Sequence, residues 1–263
     1  MSLFKNAALE RLNDHQLTLG FGVTQLRTVA AAQIAKQAGF HWLAIDMEHG
    51  SLSLSEVGQI CLTAATVGIA PIVRIGLGAL DEGSRALDNG AQGLIVPQVN
   101  TLADAERAVD ALRYPPLGNR GWNGGGPQFG FAPPTLLEAQ VFLNRENLLI
   151  LLVETAAAVE NAEALAACPG VDALFVGASD LSCTLGCPGK YGDPQMLAAF
   201  GKVADACRRH HKHLGVGGVY DEIHAKTYID LGARLVAGGA DVGFLMSAAK
   251  ARAQFLTGLY SAT

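Results

Sequence analysis

A (β/α)8 TIM barrel is the fold class that this sequence predicts, and three observations point to it. Short runs rich in Val, Ile and Leu alternate along the chain with Ala-rich stretches of helical period. Eight such units follow one another without a linker. The apolar runs are continuous rather than alternating, as expected for parallel strands buried on both faces. With 263 residues, half of them hydrophobic, and 31 glycines, the chain suits one barrel domain over 1–263. A doubly wound sheet is the structural alternative.

Strands are expected near 17–23, 42–48, 70–75, 93–99, 148–154, 173–178, 213–219 and 234–239. Helices are expected near 25–38, 53–67, 79–88, 101–113, 133–144, 156–167, 194–211, 221–231 and 243–257. A barrel places its catalytic residues at the C-terminal ends of the strands, and the sequence puts polar groups there. Strand two ends in Asp46-Met47-Glu48-His49-Gly50, strand three in Arg74 and strand four in Pro97-Gln98. Strands five and six run out at Glu154 and Asp180, strand seven at Gly217-Gly218 and strand eight at Gly239-Ala240-Asp241. Parallel neighbours lie roughly 4.8 Å apart, so Glu154 and Asp180 are placed to share one hard divalent cation through oxygen ligands. Pairing with arginines is the plainer alternative for them.

The other candidates also have plainer readings. His49 can be a loop histidine, with Asp46 and Glu48 capping the helix after Ser53. Arg74 ends an apolar strand and needs an anion, either Asp46 or Glu48 or a substrate carboxylate. The run Arg208-Arg209-His210-His211-Lys212-His213 has metal-like spacing but precedes strand seven, on the face of a barrel that serves stability, and reads as a solvated helix end. Cys183 and Cys187 lack the further ligands a zinc site needs.

Composition excludes several classes. A net charge of −5 without a basic stripe argues against a nucleic-acid partner. Five cysteines without regular spacing suggest reduced thiols and a cytoplasmic protein. The start of the sequence shows no signal-peptide pattern, and every apolar run is too short to span a bilayer. No lysine falls at a strand end facing the mouth; Lys36, Lys202, Lys212 and Lys226 lie on helices or their ends, which disfavours a Schiff base.

Asp46-Met47-Glu48-His49-Gly50, Pro71-Ile72-Val73-Arg74 and Gly93-Leu94-Ile95-Val96-Pro97 resemble, in order, segments of the HpcH/HpaI aldolase family. So do Tyr114-Pro115-Pro116-Leu117-Gly118-Asn119-Arg120-Gly121, Glu154-Thr155 and Gly177-Ala178-Ser179-Asp180-Leu181-Ser182. The resemblance covers nearly the whole chain. It implies a class II pyruvate aldolase of the 4-hydroxy-2-oxoheptanedioate aldolase type, within the phosphoenolpyruvate/pyruvate barrel superfamily. Such an enzyme reversibly cleaves 4-hydroxy-2-oxo acids to an aldehyde and pyruvate, or a related 2-oxo acid such as hydroxypyruvate, through an enolate stabilised by a divalent metal.

By that resemblance Glu154 and Asp180 are ligands of Mg²⁺, Mn²⁺ or Co²⁺. His49 is the general base, Arg74 stabilises the enolate, and the backbone of Gly177, Ala178 and Ser179 receives the substrate carboxylate. Asp88 matches an aspartate that raises the basicity of the histidine, yet it precedes strand four on the opposite face of its own barrel, so a neighbouring subunit would have to supply it. Its plainer reading is a turn residue before Gly90. The family's usual glutamine two positions before the metal glutamate is here Leu152. The glycine-rich loop 122–130 suits a lid or an oligomer contact. The implied assembly is a homohexamer with a terminal helix exchanged between subunits. Two other readings stand beside the aldolase: a phosphate-binding barrel isomerase or lyase using Gly217-Gly218 and Gly238-Gly239, and a non-catalytic sensor of 2-oxo acids.

Overall fold

The computed structural model describes residues 5–260. Eight parallel strands close into a barrel in chain order. They are β1 (Thr18–Val23), β2 (Trp42–Asp46), β3 (Ala70–Arg74), β4 (Gly93–Val96), β5 (Leu148–Val153), β6 (Ala173–Gly177), β7 (His213–Gly217) and β8 (Leu235–Ala240). The helices are α1 (Ala7–Asn13), α2 (Ala30–Gln37), α3 (Leu54–Val67), α4 (Leu80–Asp88), α5 (Leu102–Leu112) and α6 (Leu136–Glu146). The second half carries α7 (Ala156–Glu160), α8 (Ala162–Ala167), α9 (Ala178–Thr184), α10 (Pro194–Arg209), α11 (Glu222–Asp230) and α12 (Asp241–Gly258).

The barrel, and not the doubly wound sheet, is the observed fold. Each expected strand is present, and most stop before the expected C-terminal end. Local chemistry explains the stops. Strand β4 ends at Val96 because Pro97 has no N–H to give the ladder. Strand β2 ends at Asp46, whose carboxylate accepts the backbone N–H groups of Glu48 and His49 and turns the chain. The helix expected from residue 25 starts at Ala30, because the amides of Thr24, Gln25 and Leu26 all donate to the Asp241 carboxylate. The helix expected over 156–167 is broken at Asn161, whose side chain donates to the Asn100 carbonyl. The expected sequence pattern missed α1 and α9 altogether.

Helix α1 closes the N-terminal end of the barrel. Buried Asn6 caps it, accepting from Ala8 and Leu9, and ties it to the barrel by donating to the carbonyls of Gln92 and Glu146. Ala8 and Leu12 then pack on the interior side chains Ile72, Ile150 and Leu235. A second, larger apolar cluster fills the layer between sheet and helices.

Two rings dominate the interior. Trp42 and Phe175 meet edge-on with centroids 6.3 Å apart. Neighbouring strands carry glycine where these rings lie: a Cβ on Gly20 would stand 2.3 Å from Trp42 Cε2, and one on Gly215 would stand 2.3 Å from Phe175 Cδ2.

The long connection after α5 lies at the N-terminal end of the barrel. Trp122 and Phe129 pack with Tyr114 and Phe142 in a satellite cluster, and Pro127 approaches Gly90 behind α4. Loop 122–130 is therefore no lid over the mouth of its own barrel; it follows a helix, not a strand, and the fold sends it to the opposite face.

Helix α12 departs from the barrel pattern. Asp241 is its buried residue, whereas Val242, Leu245, Met246, Phe255 and Leu256 are exposed. The end of β8 is correspondingly uncovered at Gly238. Among the described residues no helix is long and apolar enough to cross a membrane, and the five cysteines are free thiols.

The interior packing makes a stability prediction. Gly20→Ala drives a methyl group into the Trp42 ring and should destabilise the fold by about 1–3 kcal/mol. Denaturant unfolding measures it; an unchanged midpoint would mean that the ring is free to move aside.

Candidate active site

The C-terminal ends of the strands surround a cavity of about 230 Å³. Its floor is hydrocarbon: Trp42, Ile95, Leu152 and Phe175. Leu152 thus faces the cavity and offers no hydrogen bond there. The polar groups stand above this floor, and the strand register decides their partners.

Asp46 and Arg74 lie directly opposite each other on β2 and β3. The guanidinium binds the carboxylate with both arms, Nε to Oδ1 at 2.9 Å and Nη2 to Oδ2 at 2.6 Å. Its third nitrogen lies 3.4 Å from Glu48 Oε2. Arg74 therefore has its structural anions, yet it still lines the cavity. Asp46 and Glu48 do not cap the next helix; Ser53 and Glu56 form that capping box themselves.

Burial alone would raise the Asp46 pKa. The Arg74 hydrogen bonds and charge, with the amides of His49 and Glu48, more than offset this and hold it below the usual carboxylate value. Arg74 is held above its own usual value by the same pair.

Glu154 follows the last residue of β5 and is only 4% exposed. Its Oε1 accepts the backbone N–H of Gln98 at 2.9 Å. Gln98 has a left-handed backbone, φ 54°, which aims that amide inward. Burial pushes the Glu154 pKa up, and the negative charges of Glu48 and Asp180 push it further, against the Gln98 hydrogen bond and Arg74. Asp180 is not at a strand end as expected. Strand β6 stops at Gly177, and Asp180 sits in the first turn of α9, exposed at the rim. Gly177, Ala178, Ser179 and Asp180 all line the cavity. The first turn of α9 has no side-chain cap, so its amides keep their donor capacity.

The donor set fits a hard divalent cation. A buried carboxylate with one oxygen held by an amide faces a second carboxylate, and the pair repel each other. Among the described residues no cluster of three His, Cys, Asp or Glu side chains suits a metal. Two carboxylates with the remaining positions left to water and substrate is the pattern of Mg²⁺-like ions.

His49 and Asp88 are not brought together. His49 stands at the rim with its side chain 67% exposed, Nε2 being 3.8 Å from Glu48 Oε2. Asp88 ends α4, near the start of β4, and forms a 2.6 Å ion pair with buried Arg120. The height of the barrel separates the two within one chain.

The sequence reading passed over Thr24 and Tyr220, both of which line the mouth. Tyr220 follows Gly217-Gly218, and that glycine pair was the available signal. Near the end of β8, one of the places singled out for phosphate, a carboxylate and an aromatic ring already occupy the space. Asp241 takes the amides of residues 24–26 and the Thr24 hydroxyl, and Gly239 lies against Phe244. The four lysines named from the sequence are spent elsewhere: Lys36 on the Gly68 carbonyl, Lys202 on Glu160, Lys212 on the Val171 carbonyl and Lys226 on Asp230.

Fold and site together define a barrel enzyme whose mouth suits a hard cation and a substrate carboxylate. Comparison with known proteins narrows this class. The family model "HpcH/HpaI aldolase/citrate lyase" matches residues 24–248, and the chain belongs to that family. A 4-hydroxy-4-methyl-2-oxoglutarate aldolase, cghB of Chaetomium globosum, is 34% identical over 95% of this chain and 94% of its own length. A hydroxypyruvate/pyruvate aldolase of Pseudomonas aeruginosa is 34% identical over 94% of this chain and 91% of its own. The crystal structure of an HpcH/HpaI aldolase from Desulfitobacterium hafniense DCB-2 superposes with a TM-score of 0.88 at 26% identity, covering 94% of this chain and 95% of that one.

The Asp46–Arg74 pair yields a prediction with a definite sign. The folded Asp46 pKa lies below the unfolded one, so its contribution is full above the ordinary carboxylate range and is lost as pH falls through the folded value. Asp46→Asn should cost about 2–3 kcal/mol at neutral pH. Melting curves of the two proteins should converge as the pH is lowered past the carboxylate range. A gap independent of pH would show that shape, not charge, explains the loss.

Proposed function

We propose that this protein is a divalent-metal-dependent aldolase that reversibly cleaves 4-hydroxy-2-oxo acids to an aldehyde and pyruvate, or a related 2-oxo acid such as hydroxypyruvate. Its family and the named relatives make it an aldehyde-lyase. The observation that carries the metal-dependent reading is the buried Glu154, held by the Gln98 amide and facing Asp180 across a mouth without lysine.

Glu154 and Asp180 would hold Mg²⁺, Mn²⁺ or Co²⁺, which when bound supplies a Lewis acid for the negative charge of the enolate. Every other role falls to the chain itself. The amides at the start of α9, around Gly177, Ala178 and Ser179, receive the substrate carboxylate. Arg74 is fixed by Asp46 before substrate arrives and presents its positive charge where the enolate oxygen develops, so no reorganisation is needed during reaction. The hydrocarbon floor excludes water from beneath the reacting carbons. His49 accepts the C4 hydroxyl proton as the C3–C4 bond breaks and returns a proton to C3. Asp88 serves His49 only across a subunit boundary, since within one chain it belongs to Arg120.

Helix α12 supports the proposed assembly. Its exposed apolar residues and the uncovered end of β8 suit exchange of this helix with a second copy, in the homohexamer the resemblance implies. Free thiols suit a reducing cytoplasm.

Chelation should abolish pyruvate release, and Mg²⁺, Mn²⁺ or Co²⁺ should restore it. Full turnover after exhaustive chelation, or a covalent adduct trapped by borohydride, would refute the metal-dependent reading. In His49→Ala, deuterium exchange into the pyruvate methyl group and aldol cleavage should both fall by ~10²–10⁴-fold while pyruvate binding persists. Undiminished exchange would assign the base elsewhere. Light scattering should find a hexamer, and Leu245→Glu with Phe255→Glu should break it into smaller species. A wild-type monomer with full activity would remove both the exchanged helix and the shared Asp88.

A further inference from the structure

A second cavity, of about 420 Å³, opens at the N-terminal end of the barrel. Its walls are the turn after α1, the end of α10 with the turn into β7, and the end of α11 with the turn into β8. Six basic side chains line it: His15, Arg208, His211, Lys212, His213 and Arg234. No lining residue is acidic. In a chain of net charge −5 this one-sign lining is a local reversal. Of the acids nearby, Asp205 pairs with Arg208 at 2.9 Å, Asp172 with Arg113, and Glu163 with Arg209 and His210, while Asp14 stands between Asn13 and His15 in the turn after α1.

Part of this charge has a structural use. Arg234 Nη1 donates to the carbonyls of Ile229 and Ala233, and Lys212 Nζ to that of Val171, as cations do near helix C-termini. That use leaves three histidines and an open volume of ligand size unexplained. The backbone fixes where two of these histidines stand. Four non-glycine residues among those described have positive φ, and two of them, His15 at 55° and His211 at 53°, line this cavity. Each is the left-handed residue that ends a helix: His15 N–H donates to the Leu12 carbonyl and Gln16 N–H to Arg11 after α1, and His211 N–H to Arg208 and Lys212 N–H to Cys207 after α10. Electrostatics agree with the geometry. Burial lowers the His213 pKa, Asp172 opposes this, and the charges of His15 and Lys212 act with the burial. A bound anion would act in the same direction as Asp172, raising the His213 pKa.

We propose that this cavity binds a small phosphate-bearing anion. Arginine and lysine donors suit phosphate oxygens, and each imidazole adds a donor when protonated. The site lies at the opposite end of the barrel from the mouth and is independent of the reaction proposed above.

The test follows the histidine ring resonances of the full-length, metal-free protein during titration with inorganic phosphate and, separately, with glycerol phosphate. Sodium chloride at matched ionic strength is the control. Each resonance is assigned by single substitution. Saturable shifts of His15, His211 and His213, with a raised His213 pKa, are expected. Stronger response to glycerol phosphate identifies an organic phosphate as the ligand, and an equal response identifies free phosphate. Arg208→Gln and His211→Asn replace exposed side chains, and asparagine tolerates positive φ. Each should weaken phosphate binding by ~10-fold or more, as loss of a charged hydrogen bond does. Shifts reproduced by chloride, or confined to His49 at the mouth, would overturn the proposal. So would variants that bind phosphate as wild type does and differ only in melting temperature.

Discussion

The mouth of this barrel is organised by an imbalance of charge. Asp46, Glu48, Glu154 and Asp180 converge on one rim, and Arg74 is the guanidinium set against them. The register between β2 and β3 commits most of that guanidinium to Asp46. Glu154 is left buried, raised by desolvation and by its acidic neighbours, with an amide as its hydrogen-bond donor. A buried carboxylate in that setting is costly unless a cation joins it. The proposed divalent ion and the readiness of Arg74 both rest on this one arrangement.

Much of the barrel was legible because a parallel sheet buried on both faces leaves continuous apolar runs, and all eight were found. The ends of the elements were less so, because they depend on contacts distant in sequence. Nothing local to residues 25–29 announces that Asp241, over two hundred positions later, takes the amides that would have begun α2. Helix α1 was missed because its apolar face is short; Asn6, Ala8 and Leu12 gain meaning only when the barrel end they close exists.

The site divides along the same line. Residues at strand ends, Arg74 and Glu154, were placed by strand position alone. Asp180 came to the right rim for a different reason, as part of a short helix that local pattern did not reveal. The choice between structural anion and substrate for Arg74 had no answer in the sequence, since register decides it. Asp88 and loop 122–130 share another kind of opacity. Both lie at the far end of their own barrel, and any part they take in catalysis is a property of the assembly. Helix α12, with apolar residues facing outward, is where a single chain looks incomplete.

Direct binding of Mn²⁺, followed by electron paramagnetic resonance, tests the central claim without relying on turnover. The account predicts one Mn²⁺ per wild-type chain, an environment that changes when pyruvate is added, and loss of binding in Glu154→Gln with the fold intact. Unaltered Mn²⁺ binding in Glu154→Gln, or no binding to the wild-type protein, would contradict it.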